Sequence, residues 1–369
     1  MSINLPLTYP LPVTTREEAL IIQDRLVRAA SSAFSGQFQF QFQSDYGVAP
    51  PLGRPSTTAR VEAVLAETFG AEAAALVQGA GTGAIRSALG AGPWAENMRD
   101  IIIHDAPVYS TTQVTFEWGK VNPVVVDFNN SQALVDLLES KDHPNWLYVQ
   151  HTRQQLDDSY DPLNICEIAT ERGVRVICDE NYAVMRTPEI AVERGAAASA
   201  FSLFKLHGPA GIGAVLGHKD IIDEIHRQNY SGGTQVQGDQ ALSALQQLIT
   251  APLLWAQQSQ EVLHAAELIS KLNEVAEVRV ANAQDLCLIV RLNNPIAHDV
   301  CATAATLGAA AFPVGSNSVY EFLPLFYRMS SSVLRSRPDL ADYAIRINPM
   351  RASAEHVVDI LTQSIKKQH

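Results

Sequence analysis

The chain has 369 residues, 47% of them hydrophobic and 18% charged, with a formal net charge of −12. That length and balance suit a globular protein with one large domain and a smaller one, and they argue against a disordered chain. The acidity argues against a nucleic-acid or anionic-membrane binder, because like charges repel. Along the chain, residues 14–18 (TTREE) predict a helix start, with a threonine capping free amides and a glutamate reaching back. Strict polar–apolar alternation in QFQFQFQ, residues 37–43, predicts a half-buried extended segment or an arm on a partner. The Pro- and Gly-rich stretch 45–56 reads as a loop.

From residue 57 helix and strand patterns alternate. A helix at 57–70 ends at Gly70, and another opens at 81–91. Strands are expected at 73–79, 100–107, 121–128, 146–152, 174–181, 200–206 and 210–217. Short apolar strands spaced by amphipathic helices predict an α/β fold with a mostly parallel seven-stranded sheet flanked by helices. One or two long helices follow over 238–275, and strands near 287–292 and 343–349 predict a smaller α+β C-terminal domain. We therefore expect an N-terminal arm over 1–50, a large domain over 51–245 and a small domain over 246–369 after a long linking helix. The four cysteines (Cys166, Cys178, Cys287, Cys301) form no CxxC pair, so no metal site is expected. Few cysteines, no signal-like start and no membrane-length apolar run lead us to expect a cytoplasmic protein.

GAGTGA, residues 79–84, sits between a predicted strand and a predicted helix. Glycines there let the backbone approach a ligand, and free helix amides suit a phosphate. The same letters fit a dinucleotide fingerprint with Asp105 as its acid, or simply a tight turn, and this segment alone leaves the three open. Residues 200–213, AFSLFKLHGPAGIG, are more telling. Lys205 lies among apolar residues, where a lone ammonium is costly and a neutral amine is a good Schiff-base former. Gly208 and Gly211 suggest an open backbone there, and Ser202 is placed to reach a phosphate. Asp179 ends the apolar run VRVICD, at the carboxyl end of a parallel strand, where ligands bind. A carboxylate at that point can keep the pyridine nitrogen of pyridoxal 5'-phosphate (PLP) protonated, so that the ring draws electrons from the substrate.

The ordered set of glycine loop, aromatic, strand-end aspartate and Ser-x-x-Lys resembles the fold-type I PLP superfamily of aspartate aminotransferase and cystathionine lyase, over essentially the whole chain. The blocks LVQGAGTGAIR, HDAPVY, QHTRQQ, DENYAVM, FSLFKLHGP, YSGGTQVQG and AIRINP are also similar to the uncharacterised bacterial YhfS-type, aminotransferase-like proteins. The resemblance implies that Gly81, Thr82 and Gly83 hold the phosphate and that Tyr109 stacks on the ring. It implies that Tyr182 bonds the ring hydroxyl, although Asn181 replaces the usual alanine before it. His151 stands where relatives carry asparagine, in HTRQQ rather than N-P-T-G, and is a candidate for the ring hydroxyl or a proton relay. Ser231, Gly232 and Gly233 correspond to a loop that in several relatives reaches the partner's phosphate across a homodimer interface. Arg346 resembles the clamp on the substrate carboxylate, with Arg153 a second anion candidate and Arg351 and Arg54 further ones. A dinucleotide site would leave Asp179, Ser202 and Lys205 as coincidences. The expectation is a PLP-dependent aminotransferase acting on a small amino acid, with a lyase, a racemase and a non-catalytic PLP-binding protein as alternatives.

Overall fold

A computed structural model of the protein describes residues 3–35, 44–282, 285–310 and 317–368. The expected extended segment 37–43 lies outside the described residues. Contacts divide the chain into two units: a larger one of 14–151 and 160–253, and a smaller one of 1–13, 152–159 and 254–369.

The larger unit opens with α1 (Arg16–Phe34). Thr15 caps it, its hydroxyl accepting from the amide of Glu18 while Glu18 accepts from the amide of Thr15, as the sequence predicts. Then come α2 (Ser56–Thr68), β1 (Ala73–Gln78), α3 (Ala80–Ala91), β2 (Asp100–His104), α4 (Ser110–Gly119) and β3 (Asn122–Val126). After them run α5 (Ser131–Leu138), β4 (Trp146–Gln150), α6 (Pro162–Thr170), β5 (Arg175–Asp179), β6 (Ala198–Ser202), β7 (Ile212–Gly217) and α7 (Lys219–Gln228). All seven expected strands form one sheet in the order β1-β7-β6-β5-β4-β2-β3. Only β7 runs against its neighbours. The carboxyl ends of β1, β2, β4, β5 and β6 therefore lie along one edge of the sheet, and the loops that leave them carry the candidate residues.

Strand alternation sets the two faces. Trp146, Tyr148 and Ile177 pack in one core with Ala84, Ile85 and Leu89 of α3. Leu147, Val149, Val176 and Cys178 pack in another with Ile165 and Cys166 of α6. By the same parity Asp179 points to the α3 side, whereas Glu180 follows Cys178.

The long helix α8 (Gly238–Ile269) carries Pro252 in its interior, next to the division between units after Leu253. The smaller unit adds β8 (Val275–Asn282), β9 (Leu286–Leu292), α9 (Ala297–Thr306), β10 (Leu325–Arg328), α10 (Ser331–Ser336), β11 (Ala344–Asn348) and α11 (Ala354–Lys366). Its four strands form an antiparallel sheet in the order β10-β11-β9-β8. The N-terminal residues divide differently from the arm expected over 1–50. Buried Leu5 joins Cys287, Ile289 and Ala344 in the core of the smaller unit, while α1 packs on α2 in the larger. An apolar side chain every few residues in the tail is what a covered segment needs, and a free arm does not. Among the described residues no helix is long and apolar enough to cross a membrane.

Candidate active site

Strand β6 ends at Ser202, and the chain turns at once through a short 3-10 segment, Phe204–Leu206, that presents Lys205. Gly208 closes the turn. Its amide donates to the carbonyl of Leu203 at 2.8 Å, and a Cβ added to it would stand 2.8 Å from that oxygen. The glycine thus serves a tight turn, and buried Gly208 is not the open backbone expected from the sequence. Gly211, at φ +83, accepts from the amides of Gly79 (2.7 Å) and Ala80 (2.9 Å), which ties the lysine turn to the glycine loop. Lys205 is half-buried. Its Nζ stands 3.8 Å from the ring centre of Tyr182 and 5.9 Å from that of Tyr109. Tyr182 takes a left-handed φ of +69, a conformation that side chains with a Cβ seldom adopt and that collects at functional sites.

Asp179 is buried with three donors on its carboxylate. The backbone N–H and the side-chain Nδ2 of Asn181 donate to Oδ1 at 3.0 and 2.6 Å, and the phenol of Tyr148 donates to Oδ2 at 3.1 Å. Burial pushes the carboxyl above its ordinary range, against the lowering effects of Asn181, of the Lys205 charge and of Tyr148. Burial and the charge of Asp179 push the Tyr148 phenol well above its usual value, so it stays a donor.

The glycine loop is shaped by close contacts. Gly79 at φ +97 and Ala80 at φ +53 turn the chain from β1 into α3. A Cβ on Gly83 would fall 2.0 Å from the carbonyl of Gln78, and one on Gly81 would fall 2.4 Å from Oδ1 of Asn181. The first helical bond runs from the amide of Gly83 to the carbonyl of Gly79 (2.8 Å), so the amides of Gly81 and Thr82 precede the ladder. Helix-terminal amides of this kind suit an anion. Thr82 Oγ1 donates to Thr111 Oγ1 at 3.2 Å. The backbone amide of Ser202 donates to Asn181 Oδ1 at 3.0 Å, while its buried Oγ has no hydrogen-bond partner among the described residues. A buried hydroxyl left unsatisfied beside a helix N-terminus and an amine is what a phosphate-bearing aldehyde such as PLP would complete.

The other expected residues have these surroundings, each within its own unit. Nδ1 of buried His151 pairs with Glu180 Oε2 at 2.6 Å, on the α6 side of the sheet. Glu180 also accepts from the amide of Ala191 (2.7 Å) and from Ser199 Oγ (3.1 Å). Burial alone would push its carboxyl up, yet His151, the amide of Ala191 and the thiol of Cys178 hold it below the ordinary value. Ser231, Gly232 and Gly233 form an exposed turn. Arg54 is paired with buried Glu62. In the smaller unit, Arg346 on β11 is buried, donates from Nε to the carbonyl of Arg328 (3.2 Å) and lies 4.0 Å from the Tyr327 ring centre. Arg153 donates to the carbonyl of Tyr9, and Arg351 is exposed. The sequence reading passed over Tyr148 and Glu180 and treated Asn181 only as a departure from a pattern. A tyrosine within the buried run WLYVQ, two positions before the end of β4, was the available signal for Tyr148.

A family model described as aminotransferase class I and II matches residues 52–289, and one described as YhfS-like, C-terminal domain matches residues 262–361. The uncharacterized protein YhfS of Escherichia coli (strain K12) is 44% identical over 363 residues, which is 97% of this chain and 99% of that one. A crystal structure of the pyridoxal-5'-phosphate dependent protein YhfS from Escherichia coli superposes with a TM-score of 0.94 at 43% identity, covering 98% of this chain and 100% of the other. A cystathionine gamma lyase from Micromonospora echinospora shares the fold, with a TM-score of 0.72 at 16% identity over 94% of this chain and 99% of its own.

Proposed function

From the premise that this chain belongs to the class I and II aminotransferase family, and along its whole length to the YhfS-like proteins, we propose that it moves the amino group of an amino acid to a keto acid. It is a PLP-dependent enzyme of fold type I. The observation that carries the assignment of the site is the amine of Lys205, 3.8 Å from the ring centre of Tyr182 and 5.9 Å from that of Tyr109, within electrostatic reach of Asp179.

When bound, PLP supplies an electron sink for the bonds at the substrate's α-carbon. Lys205 is the residue that would hold its aldehyde and carry a proton to and from that carbon. Asp179 would hold the pyridine nitrogen in its protonated form. The amides of Gly81 and Thr82, the Gly83 turn and Ser202 Oγ would hold the phosphate, Tyr109 would stack on the ring and Tyr182 would flank it. Arg346 would clamp the substrate carboxylate, with Arg153 as a second cation in the same unit. His151, tied to Glu180, would serve as a fixed imidazole at the end of β4. The working unit would be a homodimer, with the exposed turn Ser231–Gly233 offered to the partner's phosphate.

A visible absorption spectrum with added PLP tests this reading, with Lys205→Ala beside the wild type. The wild type is expected to show a visible band that borohydride bleaches, and the variant none. Single-turnover mixing with amino acids then separates the reactions. Bleaching that a keto acid reverses marks amino transfer. Ammonia release without an acceptor marks the lyase alternative, which the HTRQQ sequence at 151–155 favours over N-P-T-G, and inversion without transfer marks a racemase. A stable band with no turnover of any amino acid marks a binding protein.

A further inference from the structure

A carboxylate offers about four lone-pair sites. Three on Asp179 are already used, two on Oδ1 by Asn181 and one on Oδ2 by Tyr148. One remains, on Oδ2, for a ring nitrogen. Tyr148 therefore shares an oxygen with the group Asp179 is proposed to serve. Tyr148 is 1% exposed, sits opposite Ile177 in the β4–β5 register, and is packed edge-on against Phe116 at 5.2 Å between ring centres. Thr112 Oγ1 of α4 lies 3.5 Å from the phenol oxygen. The charged and titratable groups facing the carboxylate are Lys205 and Tyr148 itself, and Cys178 of the same strand lies within electrostatic reach of the phenol. The phenol thus has a fixed place and a fixed proton, and its hydrogen bond draws charge out of Asp179.

We propose that Tyr148 is a positioning residue that acts through Asp179, limiting the negative charge the carboxylate presents to the cofactor ring and so setting the ring's pull on electrons. The proposal rests on the reading that Asp179 faces the ring nitrogen. Loss of the phenol concentrates charge on Oδ2. With the ring nitrogen protonated in both proteins, the added negative charge attracts the second proton, on the lysine-linked nitrogen, and would hold it more firmly. The pH midpoint of the visible band reports that proton.

The test titrates the visible band of PLP-loaded protein in the wild type, Tyr148→Phe, Asp179→Asn and a protein carrying 3-fluorotyrosine at position 148. The fluorinated phenol is a stronger donor of nearly the same shape, which covers the case of a Tyr148→Phe chain that does not fold. Tyr148→Phe is expected to raise the midpoint by about half to one pH unit, the scale of one ordinary hydrogen bond felt through the carboxylate. The fluorinated protein is expected to lower it by roughly a few tenths of a unit. A midpoint that moves in Asp179→Asn but in neither Tyr148 variant overturns the role of Tyr148 and leaves Asp179 as the ring partner. A midpoint that Asp179→Asn does not move overturns both.

Discussion

Gly81 carries two demands at once. Its amide must face an anion, and its α-carbon must leave room for Asn181, whose Oδ1 would stand 2.4 Å from an added Cβ. Asn181 cannot easily retreat, because Nδ2 is bonded to Asp179 and Oδ1 to the amide of Ser202. Gly81→Ala should therefore weaken PLP binding at least about tenfold and destabilise the fold by about 1–3 kcal/mol, the usual scale of overpacking. Cofactor titration by fluorescence and urea unfolding measure the two effects. Adding Asn181→Ala removes the obstructing side chain, so the double variant should regain much of the stability, and purely additive losses would count against this contact. Lys205 and Asp179 were readable in the sequence because an amine among apolar residues and a carboxylate ending a strand are anomalies of residue type. Asn181 was not, since its importance lies in three contacts to residues 2, 21 and 100 positions away.

At the scale of elements, α2, α7 and β1 meet around a buried charge cluster. Glu62 of α2 accepts from the amide of Leu76 at 2.9 Å and pairs with Arg54, and His226 of α7 lies 3.7 Å away. Burial pushes the Glu62 carboxyl up to about 7, and burial with the nearby Arg54 charge pushes His226 down to about 4. The two titrations oppose each other. Between its unfolded value near 4.5 and about 7, Glu62 binds more protons folded than unfolded, so its contribution falls as pH rises. Between about 4 and 6.5, His226 binds more protons unfolded, so its contribution rises with pH. In the wild type these largely cancel between pH 4.5 and 6.5. Glu62→Gln removes one of them, and its unfolding free energy should climb with pH across that window by up to about 3 kcal/mol more than the wild type's. Urea melts at half-unit steps measure this, and parallel pH profiles would refute the coupling. The strands of the larger sheet were legible as apolar runs between turn signals, because buried strands such as β4, β5 and β6 are apolar on both faces. Strands β8 and β10 were not. The first is only partly buried along most of its length, and the second has four residues, too few to display a period.

At the scale of the whole molecule, the chain order hides what belongs together. The segments 1–13 and 152–159 join the smaller unit although both lie far from it in sequence, and the boundary expected at 245 falls inside α8, eight residues before the division after Leu253. Helical periodicity runs unbroken across such a point, so composition cannot mark it. The same limit applies to the exposed turn at 231–233, whose proposed work is done in a second copy of the chain. Light scattering should give a mass of twice 40.1 kDa, and a monomer would remove the basis for that proposal. Mixing then tests the turn itself. Lys205→Ala lacks its own lysine but keeps a sound turn, and Gly232→Asp keeps its lysine but places a negative charge where a phosphate is expected. In a mixed dimer, the subunit with the intact lysine receives the sound turn of its partner, whereas the other site carries both defects. With random exchange half the dimers are mixed and one site in each is complete. Each variant alone should lack the visible band, and the exchanged mixture should recover about a quarter of the wild-type intensity. A mixture that recovers nothing, from two variants that each fold and dimerise, would mean that the turn serves its own subunit, and a full band from Gly232→Asp alone would mean that it serves no phosphate.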